Sequence, residues 1–275
     1  GRIVMGPLWD LDLAWRNGNH LLQLQLGNQS IPYQGFPNQR MDMTRNASEH
    51  GILRYDGRFD WGTLQARAYS EHTRHTMNFL ENKLPNPASK GMPMDTEGTT
   101  SGGTLVAEWV LGADHSLRTG AEWQRYRLDD WWDPVSATPG MMAPNVFWNI
   151  RNGQRDRADL YAEWDARWSS QWTSQFGVRS GSVTMNTGPV QGYNTMSGMM
   201  GYGNPASPSS QPGAFNAADR ARSDQNWDLS ASTRWAPDAS ASYSMGVARK
   251  TRSPNLYERY TWSTANNMVM NMINW

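Results

Sequence analysis

The sequence predicts an all-β chain that forms part of a transmembrane antiparallel up-and-down β-barrel. Three observations lead to this prediction. Apolar and polar residues alternate at period two, tryptophan is frequent, and short turns alternate with long polar segments. The 275 residues include 15 tryptophans, 16 methionines and no cysteine. Mean hydropathy is -0.74, and no apolar run is long enough for a transmembrane helix, so a membrane protein of this composition has to be a barrel.

The alternation is clearest in residues 9–15, 160–168 and 227–235, and tryptophans stand at both ends of the first and third of these segments. A helix would need apolar residues at steps of three and four, which these segments lack. From Trp227 to Trp235 an extended strand spans about 27 Å, and a tilt of about 40° shortens this to roughly 20 Å. That length is close to the apolar band of an outer-membrane barrel, and the tryptophans then lie at its two interfaces. A soluble β-sandwich is the alternative fold, but it would bury its apolar face.

The pattern predicts about ten strands, a number below that of many natural barrels, so we expect a partial barrel. The predicted strands are 8–16, 20–27, 50–56, 58–73, 103–111, 115–127, 157–168, 172–182, 225–235 and 241–250. Short turns are predicted at 17–19, 56–57, 112–114, 169–171 and 236–238, and long loops at 28–49, 74–102, 128–156 and 183–224. No helix is predicted between these strands.

Charge and motifs exclude several functions. The chain has 25 basic and 25 acidic residues, so nothing draws it to nucleic acid. No nucleophile elbow, zinc-binding His-Glu-x-x-His helix or phosphate loop is present, and no catalytic cofactor is expected. The charged residues that alternate with the apolar ones are typical of a polar barrel lumen rather than of a catalytic site. We therefore expect a membrane protein in contact with lipid that is not an enzyme.

Several segments resemble TonB-dependent receptors. Thr251-Arg252-Ser253-Pro254-Asn255-Leu256-Tyr257-Glu258-Arg259-Tyr260 is similar to a motif that follows a barrel strand in this family. Residues 33–43, 92–98 and 127–132 are similar to its copper-receptor branch. The resemblance covers most of the chain.

The resemblance implies a barrel of roughly 22 strands in the outer membrane of a Gram-negative bacterium, closed by a separate N-terminal plug domain. It implies import of a scarce ligand, a copper ion or a metal chelate, with energy delivered by the TonB complex through the plug. We expect residues 1–275 to be a fragment of the barrel domain, with the plug and the C-terminal strands outside it.

The metal assignment rests on methionines. Thioether sulfur is a soft ligand that favours Cu(I), and Met-x-Met spacing in an extended segment places two sulfurs on one side. Met41 with Met43 and Met92 with Met94 form two such pairs, one in each of the first two predicted loops. Methionine also fills irregular apolar gaps, which is the alternative interpretation of each single residue.

Secondary candidate ligands are His72, His75, Met141 and Met142. The two histidines are three residues apart, so on one strand they would face opposite sides, and a shared site requires the strand to end before them. Two other functions stay open for the barrel. A ferric-siderophore receptor would use aromatic and arginine side chains and leave the methionines as filler, whereas a surface-binding barrel would use its long loops to contact a host surface or a phage.

Overall fold

The computed structural model describes residues 3–4, 6, 8–38, 41–79, 93–140, 142–196 and 202–263. These residues form one twelve-stranded sheet and two short helices. The strands are β1 (Ile3–Val4), β2 (Leu8–Asn17), β3 (His20–Ile31), β4 (Tyr33–Gln34), β5 (Asp42–Phe59), β6 (Gly62–Asn78), β7 (Met94–Val110), β8 (His115–Trp132), β9 (Phe147–Arg167), β10 (Trp172–Asn186), β11 (Arg222–Trp235) and β12 (Tyr243–Arg249). The helices are α1 (Gln211–Ala217) and α2 (Leu256–Tyr260).

The sheet is an antiparallel meander, in which each long strand pairs with its neighbours in sequence. The two-residue strands β1 and β4 pair with each other, and β4 also pairs with β5, beside β3. Ten strands of seven or more residues remain, in the order predicted. Within the described residues the sheet does not close, because β2 and β12 each have one neighbour. The predicted fold class, a partial up-and-down barrel, is confirmed.

The short turns lie where they were predicted, with one exception. β2 ends at Asn17 and β3 begins at His20, and Gly18 has the positive φ of 55° that such a tight turn favours. The turn predicted at residues 56–57 is wrong, since β5 continues to Phe59. Gly57 has another role there: a Cβ at this position would meet the Tyr55 hydroxyl at 2.4 Å and the Phe59 ring at 2.8 Å. The glycine provides room for two aromatic side chains on the same strand.

The strands are longer than the apolar alternation predicts. β6 continues to Asn78, β7 begins at Met94 and β9 begins at Phe147, so much of the second and third predicted loops is strand. At this end of the sheet polar residues occupy both faces, and hydrophobic period two therefore disappears while backbone pairing continues. We call this the loop end of the sheet, and the end with short turns the turn end.

The two faces of the sheet differ in chemistry. On the outer face large apolar side chains are exposed, as on a surface that meets lipid; they include Leu105, Trp123, Leu160 and Trp227. Toward the loop end this apolar band gives way to ion pairs between neighbouring strands. Arg74 pairs with Glu97 at 2.7 Å and Arg127 with Asp156 at 2.6 Å. The strands therefore extend beyond the apolar band at the loop end.

The inner face at the loop end is covered by the chain itself. Residues 187–196 and 202–221, including α1, and the segment with α2 pack against β8, β9 and β10 in two apolar clusters. α2 is part of the segment that resembles the family motif, and it begins with a capping box in which Asn255 and Glu258 each accept a backbone hydrogen bond. Neither helix among the described residues is long and apolar enough to cross a membrane.

Candidate functional site

The middle of the inner face is lined by paired charges. Arg118 lies 3.6 Å from Glu163 on the adjacent strand. Arg179 contacts Glu122 at 2.7 Å and Asp159 at 3.1 Å. Each of these carboxylates has a cationic partner. Such pairing is typical of charges in a polar lumen and gives no indication of a catalytic acid or base.

Three methionines lie in one row across the inner face at the loop end. The strand register places Met43 of β5 opposite Met77 of β6, and Met77 opposite Met94 of β7. Residues directly opposite each other on antiparallel strands point to the same face, with Cβ atoms about 5 Å apart. Met43 is 3% exposed, and the other two are half-buried. We call Met43, Met77 and Met94 the thioether row.

Further sulfurs and a group of aromatic rings adjoin this row. Met41 is 3% exposed and belongs to the same apolar cluster against which Met77, Met94 and Met142 pack. The cluster also contains five aromatic residues, which we call the aromatic cap: Trp132, Phe147, Tyr193, Tyr202 and Trp262. Met41, Met77, Met94 and Met142 therefore all adjoin this aromatic cluster.

The predicted ligands are partly brought together. Met41, Met43, Met94 and Met142 lie at this end of the inner face, while Met92 and Met141 lie outside the described residues. His72 and His75 are separated, because β6 includes both and they face opposite sides. His72 is on the outer face, where its Nδ1 lies 3.0 Å from Thr99 Oγ1 and its Nε2 lies 3.4 Å from Glu97. The structure therefore does not bring the two histidines together.

His75 lies on the inner face, two residues from Met77. Burial lowers the pKa of His75, and the opposing field of Asp95 raises it by less. His75 is opposite Thr96, and Thr96 is opposite Asp130 of β8. A polar row thus runs directly below the thioether row.

Asp130 is the buried acid of this polar row. Its side chain is 3% exposed, and its Oδ2 accepts a hydrogen bond of 2.8 Å from Asn149 Nδ2. The Oδ1 atoms of Asp130 and Asn149 have no hydrogen-bond partner within the described residues. Asp130 lies beyond the apolar band, and burial raises its pKa to about 6 despite the hydrogen bonds from Asn149 and from Tyr257 of α2. The segment 251–260, which resembles the family motif, therefore contacts the sheet at an ionisable group, Asp130.

Met77 and Asp130 are functional candidates that the sequence did not single out. Met77 stands alone in sequence, without a Met-x-Met partner, and only the strand register aligns it with Met43 and Met94. Asp130 stands next to another aspartate and two tryptophans, a pattern equally typical of a polar loop. If the predicted strand 115–127 had been extended to residue 132, Asp130 would have been assigned to the inner face, because it is an even number of residues from Arg118 and Glu122.

The meander, its exposed apolar band and its polar inner face define an outer-membrane β-barrel. The family model "TonB dependent receptor-like, beta-barrel" matches residues 6–272, so the chain belongs to the TonB-dependent receptor family. Proteins of this family lie in the outer membrane of Gram-negative bacteria and are not enzymes. The loop end is therefore the extracellular end.

Solved structures with this fold include metal transporters. The chain is similar to the copper transporter OprC, with 17% identity and a TM-score of 0.70 over 90% of this chain and 36% of that one. It is also similar to the FrpB iron transporter from Neisseria meningitidis, F3-3 variant, with 15% identity and a TM-score of 0.58 over 92% of this chain and 37% of that one. The chain thus spans little more than a third of these relatives. No curated protein matches it in sequence.

Proposed function

We propose that this chain is part of the wall of an outer-membrane receptor that imports copper, and that methionines at its extracellular end bind the metal as Cu(I). The proposal is carried by one observation: Met41, Met77, Met94 and Met142 adjoin one buried cluster, with Met43 aligned on Met77. Thioethers select a soft monovalent cation over hard ferric ion. Import would draw on TonB through a plug domain in another part of the protein.

The position of the sulfurs supports capture of a ligand from outside. They lie at the extracellular end of the inner face, beyond the apolar band, where a ligand first meets the barrel. His75, two residues from Met77 on the same face, offers an imidazole nitrogen that also suits copper. The relatives with this fold are described as transporters of copper and of iron, so the fold by itself does not choose between the metals.

We expect Cu(I) affinity to fall at least about tenfold when Met41, Met43, Met77 and Met94 are all replaced by leucine. Leucine has nearly the volume of methionine, so packing is retained while the soft donor is lost. The measurement is Cu(I) titration, against a competing chelator, of the full-length protein that contains this chain, in detergent. Met92→Leu, made separately, reports on the predicted Met-x-Met ligand that lies outside the described residues.

Met245→Leu is the matched control. Met245 is 77% exposed on the outer face of β12, far from the thioether row in the order of strands, and its loss should leave affinity unchanged. Equal Cu(I) affinity in the wild type and the fourfold variant would mean that these methionines pack the fold and do not bind the metal. The ferric-siderophore alternative, which would use arginines and aromatic rings of the inner face, would then become the better explanation.

A further inference from the structure

A second polar feature of the inner face lies apart from the methionines. A small cavity of about 130 Å³ opens between β9, β10, β11 and the segment that leads into α2. Four arginines line it, Arg155, Arg157, Arg179 and Arg252, together with Asp159, Asp228, Asn226 and Ser253. A cavity of this size accepts a group of a few heavy atoms, and it is too small for a whole metal chelate.

Three of the four arginines are neutralised by neighbouring carboxylates. Arg157 lies 2.5 Å from Asp159, and Arg179 lies 3.1 Å from the same carboxylate. Arg252 forms two hydrogen bonds with Glu258, of 2.6 and 3.1 Å. These arginines are held in place, and their charges are balanced within the fold.

Arg155 is the exception. No carboxylate of the described residues lies within 4.0 Å of its guanidinium, and its one hydrogen bond is a long one, 3.4 Å from Nε to the Pro254 carbonyl. Its two terminal nitrogens therefore have no hydrogen-bond partner in that part of the chain. Arg155 is half-buried beyond the apolar band, and burial and the like charges of Arg157 and Arg252 lower its pKa more than the carboxylates of Asp159 and Asp224 raise it. Arg155 thus lines a polar cavity with no carboxylate of the described residues within salt-bridge distance.

Ser253 supplies a second donor at the same cavity. Its side chain is 5% exposed, and its Oγ accepts a hydrogen bond of 2.7 Å from Asn226 Nδ2. Because that bond uses a lone pair of the oxygen, the hydroxyl hydrogen stays available to a ligand. Ser253 belongs to the segment 251–260, so the cavity forms only when this segment is docked on the sheet.

We propose that this cavity binds a carboxylate group, held by the fork of Arg155 and by the Ser253 hydroxyl. A guanidinium with two free nitrogens matches the two oxygens of a carboxylate. Asp159 and Asp228 already line the cavity, so a singly charged anion is favoured there over a doubly charged one such as phosphate. The carboxylate can belong to a side chain from another part of the protein or to a small molecule that enters the barrel.

The test compares Arg155→Gln with the wild-type full-length protein in detergent. Acetate is the probe, titrated calorimetrically at constant ionic strength with chloride as the reference anion. If the carboxylate comes from solution, the wild type binds acetate in preference to chloride, and Arg155→Gln weakens binding at least about tenfold. Arg58→Gln, a change at an exposed arginine near the turn end of β5, should bind acetate like the wild type.

If a side chain of the protein already fills the cavity, acetate does not bind, and Arg155→Gln lowers the thermal unfolding midpoint more than Arg58→Gln does. Either result supports a carboxylate at Arg155 and identifies its source. The proposal is overturned if the wild type binds no acetate and the two variants unfold alike. It is also overturned if acetate binds both variants equally.

Discussion

Replacing Trp132 with alanine is expected to release the segments that cover the inner face at the extracellular end. Trp132 is 1% exposed and stacks on Phe147, with 4.8 Å between ring centroids. Phe147 in turn contacts Tyr193, Tyr202 and Trp262 at 5.1 to 5.5 Å. Loss of a fully buried tryptophan costs about 3 to 5 kcal/mol. The strands keep their backbone ladder, so the loss falls on the docked segments.

Hydrogen exchange in the detergent-solubilised full-length protein measures this effect. Residues 187–196 and 202–221 should exchange faster in Trp132→Ala, while the strands keep their protection. Trp123→Ala is the control, because Trp123 is on the same strand but on the outer face, where it is 44% exposed. Unchanged protection of the covering segments in Trp132→Ala would mean that the aromatic cap does not hold them.

The part of the fold within the apolar band could be predicted from the sequence, and the part beyond it could not. In β9, Leu160, Ala162 and Trp164 alternate with charged or polar residues, since one side meets lipid and the other the lumen. Nearer the start of the same strand, toward the loop end, Asp156 faces outward and pairs with Arg127, while Arg155 faces the lumen. Both faces are polar there, so hydrophobicity has no period although the ladder continues. The predicted loops were too long for this reason.

The helices were missed for a different reason. α2 has five residues, which is too short for a helical period to appear in sequence. Its stability comes from the capping box of Asn255 and Glu258 and from Leu256, which is 1% exposed against the sheet. Docking of this kind depends on a surface built by residues far away in sequence.

Only part of the candidate metal site could be predicted from the sequence. The pair Met41 and Met43 is visible as local spacing, but Met77 joins it only through pairing between β5 and β6. That pairing also contains a register shift between Met43 and Arg45, which reverses the faces of all residues beyond it. An uninterrupted alternation counted from Leu53 would have placed Met43 on the outer face. The thioether row is evident only once the register shift between Met43 and Arg45 is known.

Asp130 is expected to make the docking of α2 depend on pH. Asn149 donates to Oδ2 of Asp130, and the Oδ1 atoms of both side chains are buried. Both are acceptors without a partner within the described residues. The protonated acid is favoured in this position, because the cost of burying the carboxylate outweighs the hydrogen bonds that it accepts. The titratable groups nearest to the carboxyl are Asp95, Tyr126 and Tyr257, none of which is a cation.

The direction of the effect follows from the raised pKa. The folded state holds the Asp130 proton up to about pH 6, whereas the unfolded chain releases it near its ordinary value of 3.8. The stabilisation is therefore fully present below that ordinary value and is lost as pH rises through about 6. Asp130→Asn carries a permanent donor in place of the proton, so it should keep the docked segment stable up to neutral pH.

Hydrogen exchange of residues 255–263 at about pH 4 and about pH 7.5, corrected for the intrinsic exchange rate, tests this prediction. Between these values wild-type protection should fall, while that of Asp130→Asn should stay nearly constant. Asp60→Asn, a change at an exposed carboxylate in the turn between β5 and β6, should behave like the wild type. Parallel loss of protection in the wild type and Asp130→Asn would place the pH-sensitive group elsewhere. A pH dependence confined to the wild type and the control would make Asp130 the residue that links proton concentration at the cell surface to the docking of α2 and the cavity beside it.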